Sequence, residues 1–378
     1  MEDVQKWLIV PDKFKGTLSS KEVCIAISSG IENAGHPIRI KSIPIADGGD
    51  GSLDILMSYM SLDEISVKTM DPLGREIWVK YGRKKNKAFI ESALTVGLSL
   101  LSPSEYDPLY ASTYGLGVII KDAIEKGCDE INIFLGGSAT NEAGIGMLMA
   151  IGFEFQDANG HILSNLPKDA MEIQKIQLKN FIDLKAIKFK VYADVINPIV
   201  GHNGATYSFA RQKGATEIML PILEERNLYL LRQLEKLSQS KNLASLAYGG
   251  AAGGLGLAFS VFLNAELRSG LQFFIKTLGI EKLIEESDAV ISGEGKLDQD
   301  SFGGKVVSGI SDCCKKHRKP LYLIVGQNAL GTTNSENLYG KVISISSSED
   351  DIDYSIQNAE SLLKSAGEKL AGTIFSEP

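Results

Sequence analysis

Strand and helix patterns alternate at both ends of this 378-residue chain, and this alternation limits the fold more than any other feature. Predicted strands at residues 7–11, 38–45 and 289–292 are each followed by a polar loop and a helical pattern, and predicted strands at residues 320–325 and 341–345 continue the series. Buried strands that alternate with helices are typical of parallel α/β sheets. We therefore predict a parallel sheet that takes its strands from both ends of the chain.

Between these ends the pattern changes. Alternating apolar and polar residues, separated by turn signals, predict three short strands at residues 65–69, 76–81 and 87–91. These strands favour an antiparallel or mixed sheet, and a chain of this length exceeds what one hydrophobic core usually holds. The sequence thus predicts two α/β domains, one made of residues 1–64 and 283–378 and one inserted between them, residues 65–282.

The composition argues against several classes of protein. A formal net charge of −8 gives no basic surface for nucleic acid. We find no secretory signal pattern and no apolar run of roughly 18 residues, so neither export nor a membrane span is expected. The four cysteines and four histidines have no metal-site spacing, which favours reduced thiols in a cytoplasmic protein and argues against zinc.

Polar side chains follow the predicted strands, where open parallel sheets bind their ligands. The loop after the first strand contains Asp12, Lys13 and Lys15, which suit a phosphate or carboxylate, although a solvated loop explains them as well. The loop after the second contains Asp47 and Asp50 around two glycines. These carboxylates suit Mg²⁺ or a proton from a hydroxyl, whereas Asp50 alone is also compatible with a helix cap.

The segment 131–147, INIFLGGSATNEAGIGM, combines a buried strand pattern with a glycine turn and a helical pattern. Free backbone N–H groups and a helix N-terminus at such a turn bind anions, although an ordinary capped turn has the same composition. Glu142 is expected on the helix, where it completes a cap. The residues predicted to bind the anion are Gly136, Gly137, Ser138, Thr140 and Asn141.

Two more loops continue the series after the strands predicted at residues 187–192 and 289–292. Their polar and charged residues are Asp194, Asn197 and Lys213 in the first, and Glu294, Lys296, Asp298, Ser301 and Lys305 in the second. Nucleotide-binding fingerprints of the GxxxxGK[ST] and GxGxxG types are absent, and so is the GxSxG turn of hydrolases. Backbone donors, carboxylates, a base and cations are the groups that phosphoryl transfer requires.

Seven motifs spanning residues 11–305 resemble the bacterial glycerate kinase family, type I. They are PDKFKGTLS, ADGGDG, GGSATNEAGIGML, DVINPIVGHNGA, QKGA, GAAGGLG and GEGKLDQDS–GGK. The resemblance implies transfer of the γ-phosphoryl group of ATP to D-glycerate, to the 2-hydroxyl in the best-known members, with Mg²⁺. It also implies a flavodoxin-like domain interrupted by an α/β domain similar to restriction endonucleases. Lys13 and Lys296 depart from the family, which usually has Ser and Arg there, and Lys lacks the bidentate fork of Arg.

The resemblance and the strand-end positions together give a predicted site. The general base is Asp194 or Asp47, Lys15 supplies charge, and Mg²⁺ is assigned to Asp47, Asp50, Glu294 or Asp298. Substrate and nucleotide binding are assigned to Asp12, Lys13, Gly136, Gly137, Ser138, Thr140, Asn141, Asn197, Lys213, Glu294, Lys296, Asp298 and Lys305. Two alternatives stay open, a kinase for another short hydroxy acid and a non-catalytic anion sensor. A monomer or homodimer is expected, with no nucleic-acid or membrane partner.

Overall fold

The structure of the protein is a computed structural model that describes residues 4–179, 183–238, 242–302, 305–331, 335, 339, 341–346 and 352–376. Its strands, in chain order, are β1 (Gln5–Ile9), β2 (Ile38–Ser42), β3 (Asp63–Met70), β4 (Glu76–Lys84), β5 (Lys87–Glu91), β6 (Glu130–Leu135), β7 (Phe153–Gln156), β8 (Lys175–Leu178), β9 (Lys188–Ala193), β10 (Glu266–Ser269), β11 (Ala289–Ser292), β12 (Lys296–Leu297), β13 (Leu321–Val325), β14 (Gln327–Asn328) and β15 (Val342–Ser344).

The helices are α1 (Ser20–Asn33), α2 (Ser52–Met60), α3 (Ala93–Val96), α4 (Tyr114–Glu125), α5 (Ile145–Ile151), α6 (Ala205–Phe209), α7 (Met219–Ser238), α8 (Ala251–Leu263), α9 (Gly270–Thr277), α10 (Ile280–Glu285), α11 (Val306–His317), α12 (Ile352–Gln357) and α13 (Ala359–Ser376). Left-handed residues at positions 252–254 interrupt α8 near its start. No helix in the described part of the chain is long and apolar enough to cross a membrane.

The chain forms two compact units. Unit 1 consists of Met1–Asp47 and Leu271–Pro378, and unit 2 of Gly48–Gly270. Both divisions fall earlier in the chain than the predicted domain boundaries at residues 64/65 and 282/283. Helix α2 packs on β4 and β5 and therefore belongs to unit 2, whereas α10 packs on α11 and belongs to unit 1.

Unit 1 contains a five-stranded parallel sheet with the order β2-β1-β11-β13-β15. Numbered within the unit, this order is 2-1-3-4-5, the flavodoxin-like arrangement. The prediction of a parallel sheet from both ends of the chain is confirmed, because Trp7 pairs with Ala289 and Ile9 with Ile291. Helix α1 begins with a reciprocal capping box between Ser19 and Glu22.

Unit 2 contains a six-stranded mixed sheet with the order β10-β9-β6-β5-β4-β3. The pairs β3–β4 and β4–β5 are antiparallel, and the remaining neighbours are parallel. The inserted mixed sheet predicted from the three short strands is therefore confirmed. Buried aliphatic and aromatic side chains of β6, β9 and α8, among them Ile133, Phe189 and Leu255, form its core.

Candidate active site

The carboxyl ends of β1, β2 and β11 bring together an acidic cluster in unit 1, defined as Asp12, Asp47 and Glu294. The strand order reverses between β1 and β11, and open α/β sheets bind ligands at that point. The Asp12 N–H donates to the carbonyl of Gly293 at 2.8 Å, which joins the loops after β1 and β11. All three carboxylates are buried.

Burial makes this cluster costly to ionise. Burial, and then the charge of Asp47, raises the pKa of Asp12 to about 8, while the Lys13 ammonium opposes the rise. Burial also raises the pKa of Glu294 to about 7. The Glu294 Oε1 atom is buried and has no hydrogen-bond partner in the described part of the chain. A bound cation relieves such a set of groups.

A magnesium ion fits the acidic cluster in part. No group of three or more His, Cys, Asp or Glu among the described residues is arranged to hold a metal ion on its own. Mg²⁺, however, commonly uses one or two carboxylates and takes its remaining ligands from water and substrate phosphates. The unpartnered oxygen of Glu294 is therefore a suitable protein ligand, with Asp47 in the same cluster.

Lysines surround the acidic cluster in unit 1. The Lys13 Nζ atom lies 3.7 Å from Asp47 Oδ1, so this departure from the family adds an ion pair. Lys296 is exposed and lies 3.8 Å from an Asp298 oxygen. Lys15 is exposed on the loop beside Gly295, and Lys305 is the N-cap residue of α11. Gly303 and Gly304 of the last motif lie outside the described residues.

The glycine turn, residues 136–141, follows β6 in unit 2 and packs directly on the loop that contains Asp50. A Cβ atom on Gly136 would lie 2.4 Å from the Cα of Gly49, and one on Gly137 would lie 2.2 Å from Asp50 Oδ1. Only glycine permits this approach. Asp50 does not cap α2, because the N-cap is Gly51 and the buried Oδ1 of Asp50 has no hydrogen-bond partner among the described residues.

The predicted helix N-terminus at the glycine turn is wrong. Helix α5 begins only at Ile145, because Ala143 and Gly144 adopt left-handed φ values of 53° and 73°. Glu142 precedes the helix, yet its Oε2 accepts the N–H of Gly146 at 2.7 Å and so caps the first turn. The predicted anion site therefore lacks a helix N-terminus and consists of the turn alone.

Two buried basic side chains hold the glycine turn from one side. The Lys213 Nζ atom donates to Ser138 Oγ at 3.0 Å and to the Thr140 carbonyl at 2.7 Å. From α7, Arg226 Nη2 donates to the Asn141 carbonyl at 2.6 Å. Thr140 and Asn141 are fully buried, so their side chains do not reach solvent in this structure.

Four backbone N–H groups of the glycine turn are unused hydrogen-bond donors among the described residues. Those of Gly137, Ser138, Thr140 and Asn141 make no hydrogen bond with any described residue. Successive free N–H groups in a turn form a concave anion-binding site without a helix. Here they form two pairs, because the N–H of Ala139 between them donates to the Val96 carbonyl at 2.7 Å. The turn thus presents backbone donors without a helix dipole, and anion binding by these residues stays a prediction.

Asp194 and Asn197 follow β9 at the same edge of the sheet. Ala193 pairs with Leu135, so Asp194 and Gly136 come directly after paired residues of β9 and β6. The Asn197 amide instead supports its own loop, because its Nδ2 donates to the Asn203 carbonyl at 2.8 Å.

Sequence reasoning missed three supporting residues. Glu91 accepts the N–H groups of Gly51 and Leu53 at 3.0 and 2.9 Å, and burial raises its pKa to about 7. Arg226 and Asn227 hold the backbone and side chain of Asn141. A signal existed for each, since Glu91 ends a buried strand, and Arg226 and Asn227 interrupt the apolar stripe of α7.

These groups define an α/β phosphotransferase: carboxylates and lysines at a switch point, and a glycine turn with free donors. A model of the glycerate kinase family matches residues 7–375. Glycerate 2-kinase of Escherichia coli is 33% identical to this chain over 374 residues, which is 98% of each chain. Glycerate kinase of Halalkalibacterium halodurans is 31% identical to this chain over 369 residues, which is 96% of this chain and 97% of the relative.

A crystal structure from Salmonella typhimurium LT2, assigned as a glycerate kinase 2, has a TM-score of 0.79, is 30% identical and covers 99% of both chains. The chain therefore belongs to the glycerate kinase family. It is an enzyme that phosphorylates an alcohol group of a small molecule.

Proposed function

We propose that the protein transfers the γ-phosphoryl group of ATP to the 2-hydroxyl of D-glycerate and so forms 2-phosphoglycerate in organic acid catabolism. The likeness to E. coli glycerate 2-kinase over nearly the whole chain supports the choice of substrate and hydroxyl. The observation in the structure that carries the proposal is the buried, unpartnered Glu294 oxygen in the acidic cluster. Four unpaired cysteines support action in the reducing cytoplasm, as a monomer or homodimer.

Each unit is assigned its own part of the chemistry. In unit 1, Glu294 and Asp47 would hold Mg²⁺, with Asp298 as an alternative, and Lys15 and Lys296 would attract the phosphates. Mg²⁺, when bound, would neutralise charge on ATP. In unit 2, the glycine turn would hold a phosphate or the glycerate carboxylate with its N–H groups. The turn contains no carboxylate, so the base must come from another loop.

The substrate assignment predicts selective ADP formation. Mixing the protein with MgATP should release ADP rapidly with D-glycerate, and weakly with L-glycerate, glycolate or lactate. Phosphorus NMR of the product should show 2-phosphoglycerate. If ADP is released only with a different hydroxy acid, that acid is the substrate in place of D-glycerate. If the product is 3-phosphoglycerate, the 3-hydroxyl is the acceptor. If no acid causes ADP release, the result favours the non-catalytic anion sensor.

Two substitutions test the general base. Asp194→Asn should lower kcat by about 10²–10⁴-fold with an unchanged melting temperature, since the amide cannot accept the hydroxyl proton. Asp47→Asn distinguishes the two roles proposed for Asp47, metal ligand and general base. Loss of a metal ligand raises the Mg²⁺ concentration needed for half-maximal rate, whereas loss of a base does not. Wild-type turnover of the Asp194→Asn enzyme would exclude Asp194 as base.

A further inference from the structure

Lys213 is a buried lysine that lacks a negative partner. It ends a short 3₁₀ helix (Arg211–Lys213) and is 3% exposed, yet no carboxylate in the described part of the chain lies within ion-pair distance of its ammonium group. Both of its hydrogen-bond partners, Ser138 Oγ and the Thr140 carbonyl, are neutral. Burying an unpaired ammonium is costly, so such a lysine tends to lose its proton.

The charged side chains on the elements around Lys213 form no ion pair with it in the described part of the chain. Glu142 accepts from Thr113 and Gly146. Glu224 accepts from the Gly201 N–H through Oε1, and its buried Oε2 has no hydrogen-bond partner among the described residues. Asp107 accepts from Leu109, Arg211 donates to Glu217, and Arg226 donates to three carbonyls. Burial alone lowers the pKa of Lys213 to about 7.

Arg226 provides a contrast within the same unit. Burial lowers its pKa to about 10, and the charges of Glu142 and Asp107 oppose this fall. The arginine that supports the turn therefore feels the charge of two carboxylates, whereas no carboxylate among the described residues lies within ion-pair distance of the lysine. The missing negative charge at Lys213 is one that a ligand would supply.

Ser138 provides the connection between Lys213 and a ligand. Its Oγ accepts a hydrogen bond from Lys213 Nζ, and its own O–H has no acceptor among the described residues. A hydroxyl that accepts from a cation is a stronger donor to an anion. The free N–H groups of the turn lie in the same short segment, so one anion would meet both kinds of donor.

We propose that Lys213 is a proton-linked counter-charge of the glycine turn: an anion bound at the turn draws one proton from solvent onto the Nζ atom. The inference rests on the proposed function, because it requires that the turn bind the carboxylate of glycerate or a phosphate of the nucleotide. Lys213 acts through Ser138 and the Thr140 backbone and is a positioning residue. Its charge state would then couple ligand affinity to pH.

Calorimetric titration with D-glycerate and with Mg²⁺-free ADP, as separate probes, tests the inference. Each is titrated at about pH 8, above the lysine pKa, in buffers that differ in ionisation enthalpy. The dependence of the binding enthalpy on the buffer gives the protons taken up. We expect uptake approaching one proton with at least one probe, and the probe that shows it identifies the carboxylate or the phosphate as the bound anion.

Variants of Lys213 decide whether it receives the proton. The Lys213→Arg variant stays charged, so it should bind the probe that shows proton uptake with wild type, but without taking up a proton. The Lys213→Met variant should bind the same probe roughly 10- to 100-fold more weakly than wild type. Lys121→Met removes an exposed charge from α4 of the same unit and should behave as wild type. Uptake that persists in Lys213→Arg, or no uptake by an enzyme that phosphorylates D-glycerate, would overturn the inference. Absence of D-glycerate phosphorylation would instead refute the proposed function.

Discussion

Replacing Glu294 by Gln should lower kcat by roughly 10²-fold or more and raise the Mg²⁺ concentration needed for half-maximal rate. The reason is the position of its carboxylate, which is buried beside Asp12 and Asp47 at the switch point with one oxygen unpartnered among the described residues. An amide keeps the shape of the side chain and removes the charge that would attract the metal. The measurement is steady-state turnover across a Mg²⁺ titration.

The same variant should gain stability relative to wild type as the pH rises. The folded carboxyl of Glu294 has a pKa of about 7 against an ordinary value of 4.5, so it keeps a proton that the unfolded chain releases between these pH values. Wild-type protein therefore loses stability with rising pH across this window, on the order of 3 kcal/mol from this group alone. Gln does not titrate, so the gap in melting temperature should grow up to about pH 7 and then level off.

Glu281→Gln is the matched control within unit 1. Glu281 lies on α10, is exposed, and pairs with Lys316 and His317 on α11. Its removal should leave turnover and the Mg²⁺ requirement unchanged, since exposed ion pairs contribute little. Wild-type turnover and Mg²⁺ dependence in Glu294→Gln would exclude Glu294 as a metal ligand, and equal losses in both variants would point to a general charge effect.

The parallel sheet and the acidic cluster were predictable for one shared physical reason. The carboxyl ends of parallel strands meet at one edge of the sheet, so the residues that follow each strand converge. Asp12, Asp47 and Glu294 follow β1, β2 and β11, which are neighbours in the sheet. The burial that raises the pKa of Asp12 and Glu294 depends on the packed loops and cannot be inferred from the strand pattern.

The support of the glycine turn could not be predicted, because it depends on contacts between distant residues. Arg226 is 85 positions from Asn141, and Lys213 is 73 from Thr140. The start of α5 was misplaced because Ala143 adopts a left-handed conformation that non-glycine residues rarely have. Similarly, the GAAGGLG motif at the start of α8 does not indicate what its glycines pack against.

That packing predicts a large effect for Gly253→Ala. A Cβ atom at this position would lie 2.0 Å from the Thr140 carbonyl oxygen, the same oxygen that accepts from Lys213, and 2.8 Å from the Asn141 Cα. The backbone φ of Gly253 is also left-handed, at +70°. We expect a loss of about 3–5 kcal/mol, from roughly 1–2 kcal/mol of backbone strain plus the displaced turn, and a fall in melting temperature of about 10 °C.

Gly74→Ala separates the backbone strain from the steric contact with the turn. Gly74 lies in the same unit with a φ of +80°, and a Cβ atom there would meet nothing within 4 Å, so it carries the backbone strain without the contact. Its melting temperature should fall by only about 2–4 °C, with kcat/KM unchanged. Gly253→Ala, assayed well below its own melting temperature, should lose at least about tenfold in kcat/KM because the turn donors move. Equal falls in melting temperature and equal activities in the two variants would mean that the Thr140 carbonyl can move aside without loss of stability. The glycine turn would then not depend on the rigid support that its buried contacts imply.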